Sequence, residues 1–124
     1  MLRDNDAIAT LAVKDLNSAA AFYEGIVGFE RGPGNEKQVR TYKSGNTKLL
    51  VYESQYAGTN KATAVTWAVP DVAELVEKLK AKGVKFERYD FPGVKHEGDV
   101  HVMGTRKNAW FMDPDGNILS IVNM

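Results

Sequence analysis

Residues 11–16 read Leu-Ala-Val-Lys-Asp-Leu, and 56 positions later residues 67–72 read Trp-Ala-Val-Pro-Asp-Val. Both segments are largely apolar runs with an aspartate near their end, and a pattern typical of a helix follows each of them. Each helical pattern leads to a glycine and a Phe-Glu pair. Each half then closes with a hairpin signal, Ser-Gly-Asn at 44–46 and Asp-Pro-Asp-Gly-Asn at 113–117. The same order of elements occurs twice, which predicts two modules of one topology.

The second copy shows its helix most clearly. After Asp71, apolar residues stand at positions 72, 75, 76 and 79, which is the spacing of one helix face. Glu74 follows Asp71 by three residues, as in a capping box, and Gly83 supplies the usual C-terminal stop. The first helix is predicted over about 17–27. Strands are predicted over 48–53 and 62–69, which are rich in β-branched and aromatic residues.

We therefore predict an α+β fold, built from two tandem β-α-β-β-β modules within a single domain of residues 1–124. The first module covers about 7–54, the second about 62–124, and residues 55–61 form the predicted linker. Residues 91–105 have the least regular pattern and contain both histidines. An irregular stretch of this length is more often a binding loop than filler, so it is the predicted mouth of a site.

The charge and composition of the chain argue against several classes of function. Lysine and arginine total 16, and so do aspartate and glutamate, so no nucleic-acid partner is expected. The absence of cysteine excludes disulfides, thiolate metal sites and a cysteine nucleophile. No apolar run approaches the roughly 20 residues of a membrane span, and the first residues lack the apolar stretch of a secretory signal. We expect a cytoplasmic protein with no membrane partner.

Two stretches of the chain carry a resemblance to a known family. The first comprises residues 11–16 with Ser18, Phe22-Tyr23 and Val27-Gly28-Phe29, and the second is Phe-Met-Asp-Pro-Asp-Gly-Asn at 111–117. Together they resemble the vicinal oxygen chelate superfamily, which includes glyoxalase I, extradiol dioxygenases, fosfomycin-resistance enzymes and bleomycin-resistance binding proteins. The match extends over residues 7–122, and the internal duplication is itself a trait of that superfamily.

The resemblance implies a shape and an assembly. Each β-α-β-β-β half would curl its sheet into a half-open cup, so that the two cups form a cup-shaped mixed sheet around a cavity. Many members of this length form homodimers, with sites at or near the interface, and a homodimer is therefore expected here.

The resemblance also implies where a metal ion would bind. Metal-dependent members hold a divalent ion through side chains on four strands, and those four positions fall on Ile8, Glu53, Ala64 and Ser120. Isoleucine and alanine cannot coordinate an ion, and a single carboxylate does not hold a catalytic one. The mapping therefore predicts no metal and no other cofactor at this site.

A relocated metal site is the alternative. His96, Glu97, Asp99 and His101 are clustered in the segment 91–105. If this segment is extended, Glu97, Asp99 and His101 share one side by the period of two, and His96 lies on the other. Such groups can bind zinc. Without a metal, the same residues form a polar loop whose histidines face solvent or contact a ligand.

The strand period, counted from the four mapped positions, predicts a lining for the cavity. Trp110 is expected to touch the ligand, whereas Trp67 is expected in the core. The aromatic residues Tyr42, Tyr56 and Phe91 are candidates for further walls. The predicted ligand-binding residues are Ile8, Thr10, Val51, Glu53, Ala64, Thr66, His96, His101, Trp110 and Ser120, and Ala12, Ala68, Ile118 and Val122 are expected on the same face.

Three functional hypotheses follow. The leading one is metal-independent binding of a small, largely apolar or aromatic organic molecule, resembling sequestration by bleomycin-resistance proteins. The second is a lyase or isomerase that uses Glu53 as general base, with or without a metal in the loop. The third is a sensor or assembly domain whose cavity has lost its ligand. In the first two hypotheses the partner is a small molecule.

Overall fold

The computed structural model describes residues 1–34 and 36–124. Within them the chain divides into two compact units, residues 1–59 and 60–124. The boundary falls inside the segment 55–61 that the sequence predicts to be a linker.

The first unit contains a four-stranded mixed sheet and one helical segment. In the sheet order β1-β4-β3-β2, β1 runs parallel to β4 and the other neighbours are antiparallel. The elements are a 3-10 turn at Leu2–Asp4, β1 (Ala9–Val13), α1 (Leu16–Ala20), a π-helical continuation at Ala21–Ile26, β2 (Glu30–Arg31), β3 (Val39–Ser44) and β4 (Thr47–Glu53).

The helical segment of this unit begins directly after Asp15, which caps its first turn. The Asp15 carboxylate accepts a hydrogen bond from the N–H of Asn17 at 3.0 Å, which satisfies one of the free donors of the first turn. A helix over about 17–27 is therefore confirmed, with its second half π-helical. Its apolar side packs on the sheet in a core of Leu11, Val13, Leu16, Phe22, Tyr23, Tyr42, Leu49 and Val51, all buried.

The second unit contains a larger mixed sheet and one helix. The order is β5-β10-β9-β8-β7, with β5 parallel to β10, and the short strand β6 also pairs with β9. The elements are β5 (Thr63–Ala68), α2 (Val72–Ala81), β6 (Phe86–Glu87), β7 (Lys95–Glu97), β8 (Val100–Met103), β9 (Arg106–Met112) and β10 (Ile118–Val122).

The sequence signals for α2 and the last hairpin are confirmed. The Asp71 carboxylate accepts from the N–H of Glu74 at 3.1 Å, and Gly83 has a φ of +94° just past the helix. In the turn 113–117, the buried Asp113 carboxylate accepts hydrogen bonds from the backbone N–H groups of Asp115 and Asn117 and from the Asn117 amide, at 2.8–3.0 Å. Both sequence signals therefore encode local structure.

The α+β fold with two tandem modules is confirmed, with one correction. The first unit has the predicted β-α-β-β-β order, and the second has the same order with an extra hairpin, β7–β8, between its second and third strands. The segment 91–105 is therefore not an irregular loop, because Gly98, with a φ of +62°, closes a two-residue turn between paired strands. Neither α-helix in the described part of the chain is long and apolar enough to cross a membrane.

Candidate functional site

Strand register determines which side chains share a face of the second sheet. Ser120 lies opposite Thr66 on one neighbouring strand and opposite Trp110 on the other, so these three side chains lie on the same face. His101 lies opposite Asn108, and Asn108 lies opposite Val122, which brings both onto that face as well. We call this surface the Ser120 face. The alternate residues of these strands form the other face, where Phe111, Leu119 and Ile121 are buried.

Five rings form an aromatic cluster at the Ser120 face: Tyr89, Phe91, His96, His101 and Trp110. The ring centroid of His101 lies 4.7 Å from that of Trp110 and 4.7 Å from that of His96, both with edge-to-face geometry. Tyr89 is edge-on to Trp110 at 5.3 Å, and Phe91 is parallel to His101 at 6.4 Å. Aromatic pairs prefer these arrangements, so the rings support one another.

Hydroxyl groups border this cluster. The Trp110 indole Nε1–H donates to the Thr63 hydroxyl at 3.1 Å, which fixes the plane of the indole. The Thr66 and Ser120 hydroxyls share a hydrogen bond of 2.7 Å. The Ser120 face therefore combines aromatic rings with a small number of polar groups, as sites for organic ligands do.

Burial keeps the centre of the cluster uncharged near neutral pH. His101 is fully buried, and its Nε2 accepts a hydrogen bond from the N–H of Tyr89 at 2.8 Å. Burial lowers the pKa of the His101 imidazole, and the neighbouring His96 lowers it further, whereas backbone groups of Asn108 and Asp99 act in the opposite direction. Burial also raises the pKa of the Tyr89 hydroxyl, and Glu87 adds to that effect.

The expectation that Val51 and Glu53 share a face with Thr10 is wrong. Leu11 lies opposite Val51 and Val13 opposite Glu53, so both β4 residues lie on the side that packs against the helix. There the Glu53 carboxylate accepts a hydrogen bond from the N–H of Leu16 at 3.1 Å, at the start of α1. Because side chains alternate, a count that is off by one residue moves a strand's side chains to the opposite face.

Leu50 is the β4 residue beside Thr10. Thr41 lies opposite Leu50 on β3, and we call the surface of Thr10, Thr41 and Leu50 the Leu50 face. Ile8 precedes β1 and is 47% exposed. Tyr42 is not a wall of this face, because it is buried on the helix side and its hydroxyl donates to Glu24 at 2.7 Å.

A bulge changes the expected position of Ala64. Thr63 lies opposite Ile118 and Val65 opposite Leu119, so Ala64 has no partner in β10. Thr63 consequently reaches the Ser120 face, where it accepts from Trp110. Thr66 lies on that face as predicted, and Tyr56 is 67% exposed in the turn that ends the first unit.

The residues at the superfamily's metal positions do not suit a divalent ion. Of the four mapped positions, Ile8 and Ala64 offer no ligand and Ser120 offers only a hydroxyl. The Glu53 carboxylate lies on the helix side of its sheet, where it accepts a hydrogen bond from the N–H of Leu16. The relocated set of Glu97, Asp99 and His101 is also wrong, because the hairpin turns at Gly98 and sets His96 opposite His101. Asp99 instead pairs with Lys80 at 2.8 Å. Residues 1–34 and 36–124 contain no group of three or more histidine and carboxylate side chains placed to hold a metal.

The model of the glyoxalase/bleomycin resistance protein/dioxygenase superfamily matches residues 6–121 of this chain. The chain belongs to this superfamily. No curated protein matches it.

Solved structures of this superfamily share the fold. A glyoxalase family protein from Enterococcus faecalis is 18% identical, with a TM-score of 0.75 over 99% of this chain and 100% of that one. A bleomycin-binding protein complexed with bleomycin is 21% identical, with a TM-score of 0.71 over 97% and 98%. The fosfomycin resistance protein FosX from Listeria monocytogenes is 20% identical, with a TM-score of 0.72 over 97% and 93%. At these identities the likeness concerns the fold.

Sequence reasoning missed Tyr89 and Thr63. A signal for Tyr89 was present, because a period of two counted from Glu87 places positions 89 and 91 on the same side of an extended segment. Glu87 lies opposite Trp110, which places the start of that series beside the indole. Thr63 had no comparable signal, because it reaches the Ser120 face only through the bulge.

Proposed function

We propose that this superfamily member binds a small, flat, largely apolar or aromatic organic molecule at the Ser120 face, without a metal ion, and holds it without transforming it. The observation that carries the proposal is the aromatic cluster around Trp110, with Tyr89 and His101 edge-on to its indole. A homodimer, which the resemblance implies, and a cytoplasmic location, which the composition favours, are parts of the same proposal.

The chemistry of the cluster supports a ligand recognised by stacking and shape. Aromatic rings offer large apolar surfaces that lose little conformational freedom on binding. A neutral His101 and an un-ionised Tyr89 add no charge, and the Thr66–Ser120 hydroxyl pair can orient one polar group of the ligand. Two of the structural relatives are named after an organic antibiotic: one is a bleomycin-binding protein complexed with bleomycin, and the other is a fosfomycin resistance protein.

The donor chemistry supports metal independence. Metal-dependent members need imidazole or carboxylate ligands, and Ile8 and Ala64 supply neither. The single carboxylate of the mapped set, Glu53, lies on the helix side of its sheet and accepts from the N–H of Leu16. The remaining position, Ser120, has a hydroxyl that already pairs with Thr66.

Catalysis by Glu53 is disfavoured. Its carboxylate is held by the N–H of Leu16 on the helix side of the first sheet, which gives it a structural role. A general base must be free to take up the proton that it removes, and the Glu53 carboxylate already accepts from the N–H of Leu16, on the side of the sheet opposite to Thr10.

Two single-tryptophan variants test the proposal. Trp67→Phe leaves Trp110 as the only indole, and Trp110→Phe leaves Trp67, whose register partner Ile121 lies on the other face of the sheet. Each chelator-treated variant is titrated with bleomycin, fosfomycin and an anilinonaphthalene sulfonate dye. We expect a saturable change in Trp110 emission, little change in Trp67 emission, and recovery of the ligand unaltered by mass spectrometry. No saturable change with any probe, or a chemically altered ligand, would contradict the proposal.

A further inference from the structure

His96 and His101 hold the two ends of a single residue, Tyr89. The backbone N–H of Tyr89 lies 2.8 Å from Nε2 of His101, and its carbonyl oxygen lies 3.0 Å from Nε2 of His96. In an extended chain the N–H and C=O of one residue point to the same side, where a neighbouring strand would normally supply both partners. Here two histidine side chains supply them.

The two bonds require opposite roles of the two rings. An N–H can only donate, so Nε2 of His101 must be an unprotonated acceptor, and the proton of the neutral ring then resides on Nδ1. A carbonyl oxygen can only accept, so Nε2 of His96 must carry a proton. His96 can donate this bond whether its ring is neutral or charged. His101 can accept its bond only while neutral.

The held residue is part of the aromatic cluster. The Tyr89 ring lies edge-on to Trp110 at 5.3 Å, and two residues further on Phe91 is parallel to His101 at 6.4 Å. The segment 88–91 lies beyond the end of β6, so these two histidine bonds dock it where the β-ladder has ended. The position of both rings therefore depends on the hairpin that carries the histidines.

We infer that His96 and His101 are positioning residues that clamp the peptide of Tyr89, and that protonation of His101 releases one end of the clamp and loosens the ligand-binding wall formed by Tyr89 and Phe91. The inference rests on the proposed function only in calling this wall ligand-binding. The clamp itself exists without a ligand and is tested without one.

The charged and titratable groups around His101 define the conditions for release. His96 faces it from β7, and Tyr89 from the clamped segment. Arg88 hydrogen-bonds to the carbonyl of Gly98 at the hairpin turn, Asp99 in that turn pairs with Lys80, and Glu87 lies beside Trp110. Burial lowers the pKa of His101 most, and the charges of His96 and Arg88 lower it further, whereas hydrogen bonds with backbone groups of Asn108 and Asp99 raise it. Release therefore occurs below pH 6.5, the ordinary pKa of histidine.

Hydrogen exchange at the Tyr89 amide tests the clamp directly. We expect its protection factor to fall about tenfold between roughly pH 7.5 and pH 4.5, because the hydrogen bond from the Tyr89 amide to His101 is lost. The Val69 amide, which donates to the Val122 carbonyl at 2.8 Å, has a partner that does not titrate and serves as the internal control. A Tyr89 protection factor that changes no more than that of Val69 would overturn the inference.

Glutamine variants separate the clamp from general acid sensitivity. His101→Gln can place an amide oxygen near the former Nε2, so it should keep the protection and lose its pH dependence. His96→Gln keeps a donor and should keep a pH-dependent protection, with its midpoint moved to higher pH because the charge of His96 no longer lowers the pKa of His101. His101→Phe should show low protection at every pH. A His101→Gln protein that titrates like the wild type would contradict the assignment.

A second measurement stands if a variant fails to fold. Nitrogen-15 spectra of the wild-type imidazoles near pH 7.5 should show His101 protonated on Nδ1 and His96 protonated on Nε2, and the reverse pattern would overturn the clamp. The two proposals also fail separately. If protection of the Tyr89 amide depends on pH but the protein binds no probe, the proposed function is contradicted and the clamp is supported. If a probe binds at Trp110 but the Tyr89 amide is unprotected, the clamp is contradicted and the proposed function is supported.

Discussion

The two units share one scaffold and differ at matched positions. Thr10 and Thr66, which are 56 residues apart, occupy the same place in their parallel strand pairs, beside Leu50 in the first unit and Ser120 in the second. The next strand supplies Thr41 in one and Trp110 in the other. The hairpin β7–β8 of the second unit has no counterpart among the described residues of the first. The duplicated framework is thus kept in both units, and the candidate binding chemistry is concentrated in the second.

The turns of the two closing hairpins should differ most in stability. Asp113→Ala removes a buried carboxylate that accepts three hydrogen bonds, and we expect it to lower the free energy of unfolding by about 3 kcal/mol. Asn46→Ala, in the exposed turn of the first unit, should cost less than about 0.5 kcal/mol. Urea denaturation measures both, and equal losses would mean that the turns do not differ as described.

The matched pair Trp110 and Thr41 tests where the ligand binds. Trp110→Ala should weaken binding of a probe by about 2 kcal/mol, roughly 30-fold, because a central aromatic contact is lost. Thr41→Ala, at the corresponding place on the Leu50 face, should change the dissociation constant by less than about twofold. Isothermal titration measures both affinities. A larger loss for Thr41→Ala would move the binding site to the first unit.

The starts of the two helices should lose similar stability when their side-chain acceptors are removed, although the acceptor is Glu53 on β4 in the first unit and Asp71 in the second. Glu53→Ala removes the acceptor for the N–H of Leu16, and Asp71→Ala removes the acceptor for the N–H of Glu74. Each should cost about 1 kcal/mol of unfolding free energy. Probe affinity should not change in either variant. A stable Glu53→Ala protein that no longer binds or processes a ligand would restore Glu53 as a functional residue.

The two units should also lose stability over different ranges of acidic pH, and we expect these losses to be the smallest of the predicted effects. The pKa of His101 is lowered from 6.5 by folding, so the unfolded chain binds more protons, and the stability contributed falls as pH drops below about 6.5. In the first unit, the hydrogen bond from the Tyr42 hydroxyl, followed by Arg31, lowers the pKa of Glu24 from 4.5 against the effect of burial. Its contribution is present above that value and is lost as pH falls through the folded pKa.

Urea midpoints measured across this pH range check both windows. His101→Gln should flatten the dependence below about pH 6.5 and leave the more acidic part, and Glu24→Gln should do the opposite. Identical profiles for the wild type and both variants would show that neither group is linked to folding.

The parts of this fold that the sequence predicts correctly are those determined by interactions between residues close together in the chain. Asp71, Glu74 and Gly83 define α2, and the turn 113–117 defines a hairpin, because each signal acts within a few residues. The face of Glu53 was misjudged because it depends on the register between β1 and β4, which a count along one strand does not contain. The hairpin β7–β8 was missed because its glycines resemble those of an irregular loop. Thr63 was missed because a bulge is needed to place it.

The most direct test of the central claim is calorimetric titration of the chelator-treated wild-type protein and its Trp110→Ala variant with bleomycin and the anilinonaphthalene dye, before and after addition of zinc. Metal-independent binding at the Ser120 face predicts a saturable isotherm in the wild type that zinc does not change and that Trp110→Ala weakens roughly 30-fold. An isotherm that appears only after zinc is added, or one that Trp110→Ala leaves unchanged, would contradict it.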